Sequence, residues 1–253
     1  MGLMMKFLRS GSLALALAAW ATSAAAGDWY TGSNAPGADQ SFGASLNSSL
    51  SGTSQGDLDL ALIGTISPFT KLDRSGVRFR LGANVGDYDY LSSVAGVGLV
   101  HGREQDGSLL AGWAWVNRRT SVGVYAGPEV RSDVLNKFDP GNTAPATSLG
   151  FQTSVDVYSN PTPYTMVFGQ LSYSTIRQAY YSHFKLGFAV AKNVFVGPEA
   201  LFLGDDLYRQ WRAGLHLTGV PLGNLQFGVS GGYLKDETRG GGTYGILDMR
   251  MVF

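Results

Sequence analysis

The sequence predicts an all-β chain: an antiparallel transmembrane β-barrel of about twelve strands, with both termini in the periplasm. Three observations carry that expectation. Segments of about ten residues with alternating apolar and polar side chains recur along the chain, separated by turn residues. Glycine is abundant at 35 residues, aromatics make 12% and charged residues only 15%, which suits β structure held against lipid. Beyond residue 26 there is no run of about 18 uncharged apolar residues, which excludes a helical span.

Residues 1–26 stand apart. Lys6 and Arg9 make a basic start, Leu13 to Ala19 an apolar run, and Thr22-Ser23-Ala24-Ala25-Ala26 a small-residue ending. That order reads as a secretory signal peptide cut near Ala26, and the apolar run is too short for an anchor. Residues 27–40 are expected to form an N-terminal periplasmic segment and 41–253 the barrel. The chain carries 19 Lys+Arg and 19 Asp+Glu. Losing Lys6 and Arg9 leaves it slightly acidic, so no basic bias points to nucleic acid as a partner. Cysteine is absent, so a secreted domain must hold together by packing or by a lipid-embedded sheet.

The last segment is the clearest strand. In Thr243 to Phe253, the residues Leu247, Met249, Met251 and Phe253 share one face, while Tyr244, Ile246, Asp248, Arg250 and Val252 share the other. A period of 2 separates apolar from charged positions, whereas a helix would mix them. A strand ending on Phe253 also resembles the signal read by outer-membrane barrel assembly machinery. The same dyads recur at 77–88, 147–159, 179–191, 208–219 and 225–234, with weaker ones at 41–50, 58–67, 107–116, 120–130, 164–174 and 194–203. That makes twelve, an even number as a closed bacterial barrel requires. Periplasmic turns are expected at 68–76, 117–119, 160–163, 192–193 and 221–224. The longest connections, 89–106 and 131–146, fall outside. The competing architecture is a soluble β-sandwich or lipocalin-like barrel, whose solvent face would be rich in Lys and Glu. Here the polar faces carry Arg, Asp, His, Gln, Gly and Tyr, and aromatics (Trp113, Trp115, Tyr164, Tyr180, Trp211, Tyr233) sit near strand ends, as interface girdles do.

Tyr125-Ala126-Gly127-Pro128-Glu129-Val130 is echoed by Phe195-Val196-Gly197-Pro198-Glu199-Ala200. Each proline is expected at a bulge or a strand end, because it cannot donate to the ladder.

Strand parity points a set of polar residues at the lumen: Arg78, Arg80, Glu129, Asp156, His183, Lys185, Glu199, Arg212, His216, Asp248 and Arg250. Such charges either pair across strands and fill a small barrel or line a polar channel. Tyr88, Tyr125, Tyr158, Tyr181 and Tyr244 point the same way. A flat ring with a hydroxyl suits the apolar face and hydroxyl rim of a glucose unit, and inward tyrosines also plug barrels. For catalysis, a Ser–His pair is the chemistry to test. His101 falls in the expected loop 89–106. Ser182 and His183 are adjacent on a strand and so point to opposite faces, and nothing fixes Ser230 near a histidine. No His-x-His or carboxylate cluster indicates a metal, and no catalytic residue or cofactor is expected. The acidic pairs Asp205-Asp206 and Asp236-Glu237 are expected in outer loops.

Several turn and strand-end motifs are shared with a known family: Asp139-Pro140-Gly141-Asn142, Asn160-Pro161-Thr162-Pro163, Ser172-Tyr173-Ser174-Thr175, Val196-Gly197-Pro198-Glu199, Gly231-Gly232-Tyr233, and Gly240-Gly241-Gly242-Thr243-Tyr244-Gly245. On these the chain resembles the cellulose biosynthesis protein BcsS family of alphaproteobacteria, well over 120–253 and more loosely over 57–116. The resemblance implies an outer-membrane barrel associated with cellulose production, with cellulose or cellulose-synthase components as partners beside lipid and the assembly machinery. The expected function is therefore a non-enzymatic accessory of cellulose synthesis or export that contacts glucan. The alternatives are a small outer-membrane pore or a lipid-modifying barrel hydrolase. No helical-repeat domain of the kind that docks a synthase is found, which argues against a stand-alone exporter.

Overall fold

The computed structural model describes residues 42–142 and 145–253. The expected leader at 1–26 and segment at 27–40 lie outside the described residues, as does Ser41 of the first expected strand. Twelve antiparallel strands follow in chain order: β1 (Gly43–Thr53), β2 (Leu58–Ser67), β3 (Gly76–Leu91), β4 (Leu99–Val116), β5 (Thr120–Leu135), β6 (Thr147–Ser159), β7 (Thr165–Ser174), β8 (Tyr180–Ala191), β9 (Val194–Gly204), β10 (Arg209–Leu222), β11 (Leu225–Asp236) and β12 (Gly240–Val252). Each pairs with its neighbours in sequence, and β1 pairs with β12 from Ser45↔Val252 to Thr53↔Tyr244, so the sheet closes. Closure removes every strand edge, the condition for a sheet to exist in hydrocarbon. Phe253 lies one residue past β12 but still exchanges backbone hydrogen bonds with Ala44, donating at 2.9 Å and accepting at 3.5 Å.

The alternation read from the sequence divides outside from inside. Large apolar side chains such as Leu81, Leu109, Phe151, Phe188, Leu215, Val229 and Leu247 are exposed on the outer surface. Arg78, Glu129, Asp156, Lys185, Glu199 and Arg250 are buried. This is a soluble protein turned inside out, and it fits lipid outside and water or protein within. Exposed aromatics mark both margins: Trp115 and Tyr164 towards the end that carries the termini, and Tyr173, Trp211 and Tyr233 towards the opposite end.

Three expectations need correction. The stretch 89–106 is not a loop, because β3 and β4 pair continuously from Gly76↔Ala114 to Leu91↔Leu99, leaving only 92–98 as the connection. His101 therefore lies on β4, where it faces Asp89. The alternation fails here because the extension carries charge on its outward face as well, as the exposed Arg103–Asp87 pair at 2.7 Å shows. A strand segment wetted on both sides has no need of an apolar face. Asp236 likewise belongs to β11 and not to a loop.

Pro128 and Pro198 mark neither a bulge nor a strand end. Pairing of β4 with β5 lapses between Ser108↔Glu129 and Ala111↔Ala126, and resumes without a shift of register. Pairing of β8 with β9 lapses in the same way between Lys185↔Glu199 and Phe188↔Val196. Both strands run on past the proline, and both prolines stay paired on their other side, Pro128↔Phe151 and Pro198↔Leu215. The preceding glycine is what permits this. A Cβ on Gly127 would stand 2.1 Å from the Leu109 carbonyl oxygen, and one on Gly197 1.9 Å from that of Leu186. The echo seen in the sequence is thus a repeated device: a proline that gives no N–H, beside a glycine that lets the opposite carbonyl come close.

Candidate functional site

Inward parity sets which side chains meet in the lumen, and barrel closure sets which of them touch. Four contacts span it as chords. Arg80 on β3 pairs with Asp156 on β6 and donates to Ser154 at 3.3 Å. Lys185 on β8 donates to Asp248 on β12 at 2.8 Å. Arg212 on β10 donates to Ser51 on β1 at 2.8 Å. Tyr244 on β12 donates to Glu199 on β9 at 2.8 Å. Glu199 is wholly enclosed and also meets His183 Nε2 at 2.9 Å and Lys185 Nζ at 3.4 Å. Nearer the opposite end, Glu129 accepts from Ser174 and sits 3.6 Å from Arg131, which reaches Glu104 at 3.5 Å. Gln226, Ser230, Asp236 and Arg250 are the buried polar residues of the last two strands.

Apolar side chains fill the space between the chords on one side. Leu201, Leu234, Tyr244 and Ile246 form one interior cluster, and Tyr158, Met166 and Phe195 another. The opposite wall is built mostly from small residues, Ser45, Asn47 and Ser49 on β1 and Ala61 and Thr65 on β2, with Ile63 among them. A cavity of about 170 Å³ remains between that wall and Arg78, Arg80, Tyr125, Tyr181 and Lys185. It is comparable with a cavity that admits a benzene-sized ring.

The turn between β2 and β3, the one long connection at the terminal end, folds towards this cavity, and its Leu72 lines it. Arg78, 2% exposed, holds the turn in place. Its guanidinium donates to the carbonyls of Lys71 at 3.1 Å, Leu72 at 3.4 Å and Arg74, and to the hydroxyls of Ser67 and of Thr70 at 3.0 Å. One buried arginine thus satisfies a set of carbonyls that a turn would otherwise present to water.

His183 and His216 are engaged by groups other than a serine hydroxyl. His183 meets Glu199 and, through Nδ1, the Tyr181 hydroxyl at 3.1 Å. His216 meets Thr218 at 3.0 Å, and its Nε2 donates to the Leu186 carbonyl at 3.2 Å. Leu186 is the residue opposite Pro198, so His216 supplies the donor that the proline cannot. Ser230 is the cross-strand partner of His216, yet its buried hydroxyl takes no hydrogen bond from the ring. Among the described residues no group of three or more His, Asp or Glu is arranged to hold a metal ion.

The tyrosines differ in access. The Arg80 guanidinium lies 3.7 Å over the Tyr125 ring. Tyr158 is buried with Met166 and Phe195. Tyr181 bonds to His183 inside, and Tyr244 is tied to Glu199, whereas Tyr88 stands at the opposite mouth beside Tyr90. Tyr90, Arg131 and Asp133 were not among the expected lumen residues. They lie beyond the expected strands 77–88 and 120–130, on the same inward parity, because β3 runs to Leu91 and β5 to Leu135.

A closed antiparallel barrel, apolar outside and charged within, is an outer-membrane β-barrel protein. The family model for cellulose biosynthesis protein BcsS matches residues 16–253, and the chain belongs to that family. The match includes 57–116, where the resemblance read from motifs is loose. No curated protein matches the chain. Among solved structures, a KdgM porin in complex with disordered oligogalacturonate is 13% identical over 83% of this chain and 99% of its own, with a TM-score of 0.44. CdiB from Acinetobacter baumannii is 10% identical over 85% of this chain and 60% of its own, at 0.37. The low-pH structure of Pseudomonas putida OprB is 8% identical over 84% and 92%, at 0.33.

Proposed function

We propose that this protein is a non-enzymatic accessory of cellulose synthesis or export that contacts the glucan at the outer membrane. Family membership supplies the cellular context. The single observation that carries the non-enzymatic reading is the engagement of the histidines: His183 and His216 have both ring nitrogens bound to groups other than a serine hydroxyl, and His101 faces Asp89. A Ser–His hydrolase needs its base within reach of the hydroxyl. In this reading the termini and the short turns face the periplasm, a signal peptide ending near Ala26 directs export, and the Phe253-ended strand is read by the barrel assembly machinery. The outer apolar belt meets outer-membrane lipid.

The test is a deletion strain compared with its complemented parent for secreted cellulose and fibre form. Reduced or disordered cellulose, restored by the gene in trans, is expected; unchanged output and fibre form overturns the proposal. The cavity beside β1 and β2 favours a second reading, a small pore, which conductance decides.

A further inference from the structure

The accessory reading leaves open where a glucan would touch the barrel. Tyr125, Tyr158 and Tyr244 are buried in the interior, which directs attention to the mouth opposite the termini. There β3, β4 and β5 outrun their neighbours: β2 follows β3 only to Asp87, whereas β3 and β4 stay paired to Leu91↔Leu99. The inner side of this extension carries Tyr88 and Tyr90, two residues apart on one strand and so on the same face. Both are half-buried.

The two rings form a strip. Their planes lie within 26° of each other and their centroids 6.2 Å apart. Tyr88 lies flat against Gly102, its direct cross-strand partner, and a Cβ there would stand 2.4 Å from the ring. Glycine is therefore what allows the ring to lie close against the neighbouring strand. Both hydroxyls are fixed. Tyr88 donates to Asp133 at 3.1 Å. Tyr90 donates to Asp139 at 2.8 Å and accepts from Asn142 at 3.3 Å. Asp139 is held in turn by the Ser92 hydroxyl at 2.7 Å and the Gly141 N–H at 2.9 Å. The Ser92 hydroxyl first, then Tyr90 and the Gly141 N–H, hold the Asp139 carboxyl below the usual aspartate range, so it remains an acceptor at neutral pH. The strip is rigid before any ligand arrives, which lowers the entropic cost of binding.

We propose that Tyr88 and Tyr90 form a saccharide platform at the barrel mouth that takes an uncharged β-linked glucan. A pyranose whose hydroxyls are equatorial offers a flat C–H face to an aromatic ring and a rim of hydroxyls to neighbouring polar groups. Asn142 and the Asp133 and Asp139 carboxylates supply that polar edge. The cations nearest the two rings already face carboxylates, Arg131 those of Glu104 and Glu129 and Arg177 those of Asp133, Asp205 and Asp206, which leaves little countercharge for an acidic polysaccharide. The platform rests on the cellulose reading above and gives it a location.

The experiment titrates cellohexaose, and separately an acidic hexasaccharide, into the full-length barrel in detergent micelles and follows line broadening of the sugar by NMR. Wild type is expected to bind cellohexaose and not the acidic sugar. Tyr88→Phe and Tyr90→Phe keep the rings and are expected to weaken binding no more than a few-fold, whereas the Tyr88→Leu/Tyr90→Leu double variant keeps bulk and is expected to lose it at least ten-fold. Heat-shifted gel mobility shows that each variant is folded. Equal binding by wild type and the folded double variant overturns the platform but leaves glucan contact standing. Absence of cellohexaose binding by wild type overturns the platform even if the deletion strain loses cellulose, and the accessory reading fails separately if that strain does not.

Discussion

Glu199 shows how much a single side chain carries in this lumen. Its carboxylate is fully enclosed and receives Tyr244, His183 and Lys185 from two other strands. Burying a charge is tolerable only when its partners are complete, and removing one member of such a set costs about 3–5 kcal/mol. Glu199→Gln keeps the volume and the Tyr244 bond but leaves Lys185 with Asp248 alone. A loss of that size in the unfolding free energy of the folded barrel in urea is expected, and a loss below about 1 kcal/mol, typical of an exposed pair, would show that the network is solvated instead. The inward direction of Glu199, His183 and Lys185 was legible from a period of 2. Their meeting with Tyr244 and Asp248 was not, because parity gives a face but not the strand that lies across the lumen. Closure of β1 onto β12 fixes that.

At the scale of elements, the two Gly-Pro pairs set a limit on substitution. At Gly197 even one methyl group would fall 1.9 Å from a backbone carbonyl that cannot move without breaking the sheet. Gly52 has only Leu58 and a carbonyl near 4 Å in the same test. Gly197→Ala is therefore expected to destabilise the barrel by about 1–3 kcal/mol or more through overpacking, and Gly52→Ala to be tolerated, as measured by the heat needed to convert the folded to the unfolded gel band. Equal behaviour of the two variants would contradict the device. The repeat is visible in the sequence, but its consequence is not: proline does break a ladder bond, yet a glycine neighbour and the His216 donor let β9 continue past Pro198 without a shift of register there. The extension of β3 and β4 escaped detection for the opposite reason. Outside the lipid belt, solvent on both faces removes the alternation that marks a membrane strand, so Tyr90 and Asp133 were lost with it.

The whole molecule is a closed barrel whose interior is largely built over by its own side chains. Twelve strands leave room for a wide lumen, but two apolar clusters and four polar chords occupy it, and a cavity of about 170 Å³ is left beside the small-residue wall of β1 and β2. The latched turn between β2 and β3 stands at its terminal end. The proposed accessory role expects a barrel so filled to act as a scaffold at the membrane surface, whereas a small pore would have to pass through the residual cavity. The direct test is single-channel conductance in planar bilayers, for wild type and for Arg78→Ala, which releases the turn from its carbonyl contacts. Wild type is expected to stay closed or to open only in brief, small steps, and Arg78→Ala to open at least several-fold more often; long-lived, large steps from the wild type, unchanged by Arg78→Ala, would contradict the account.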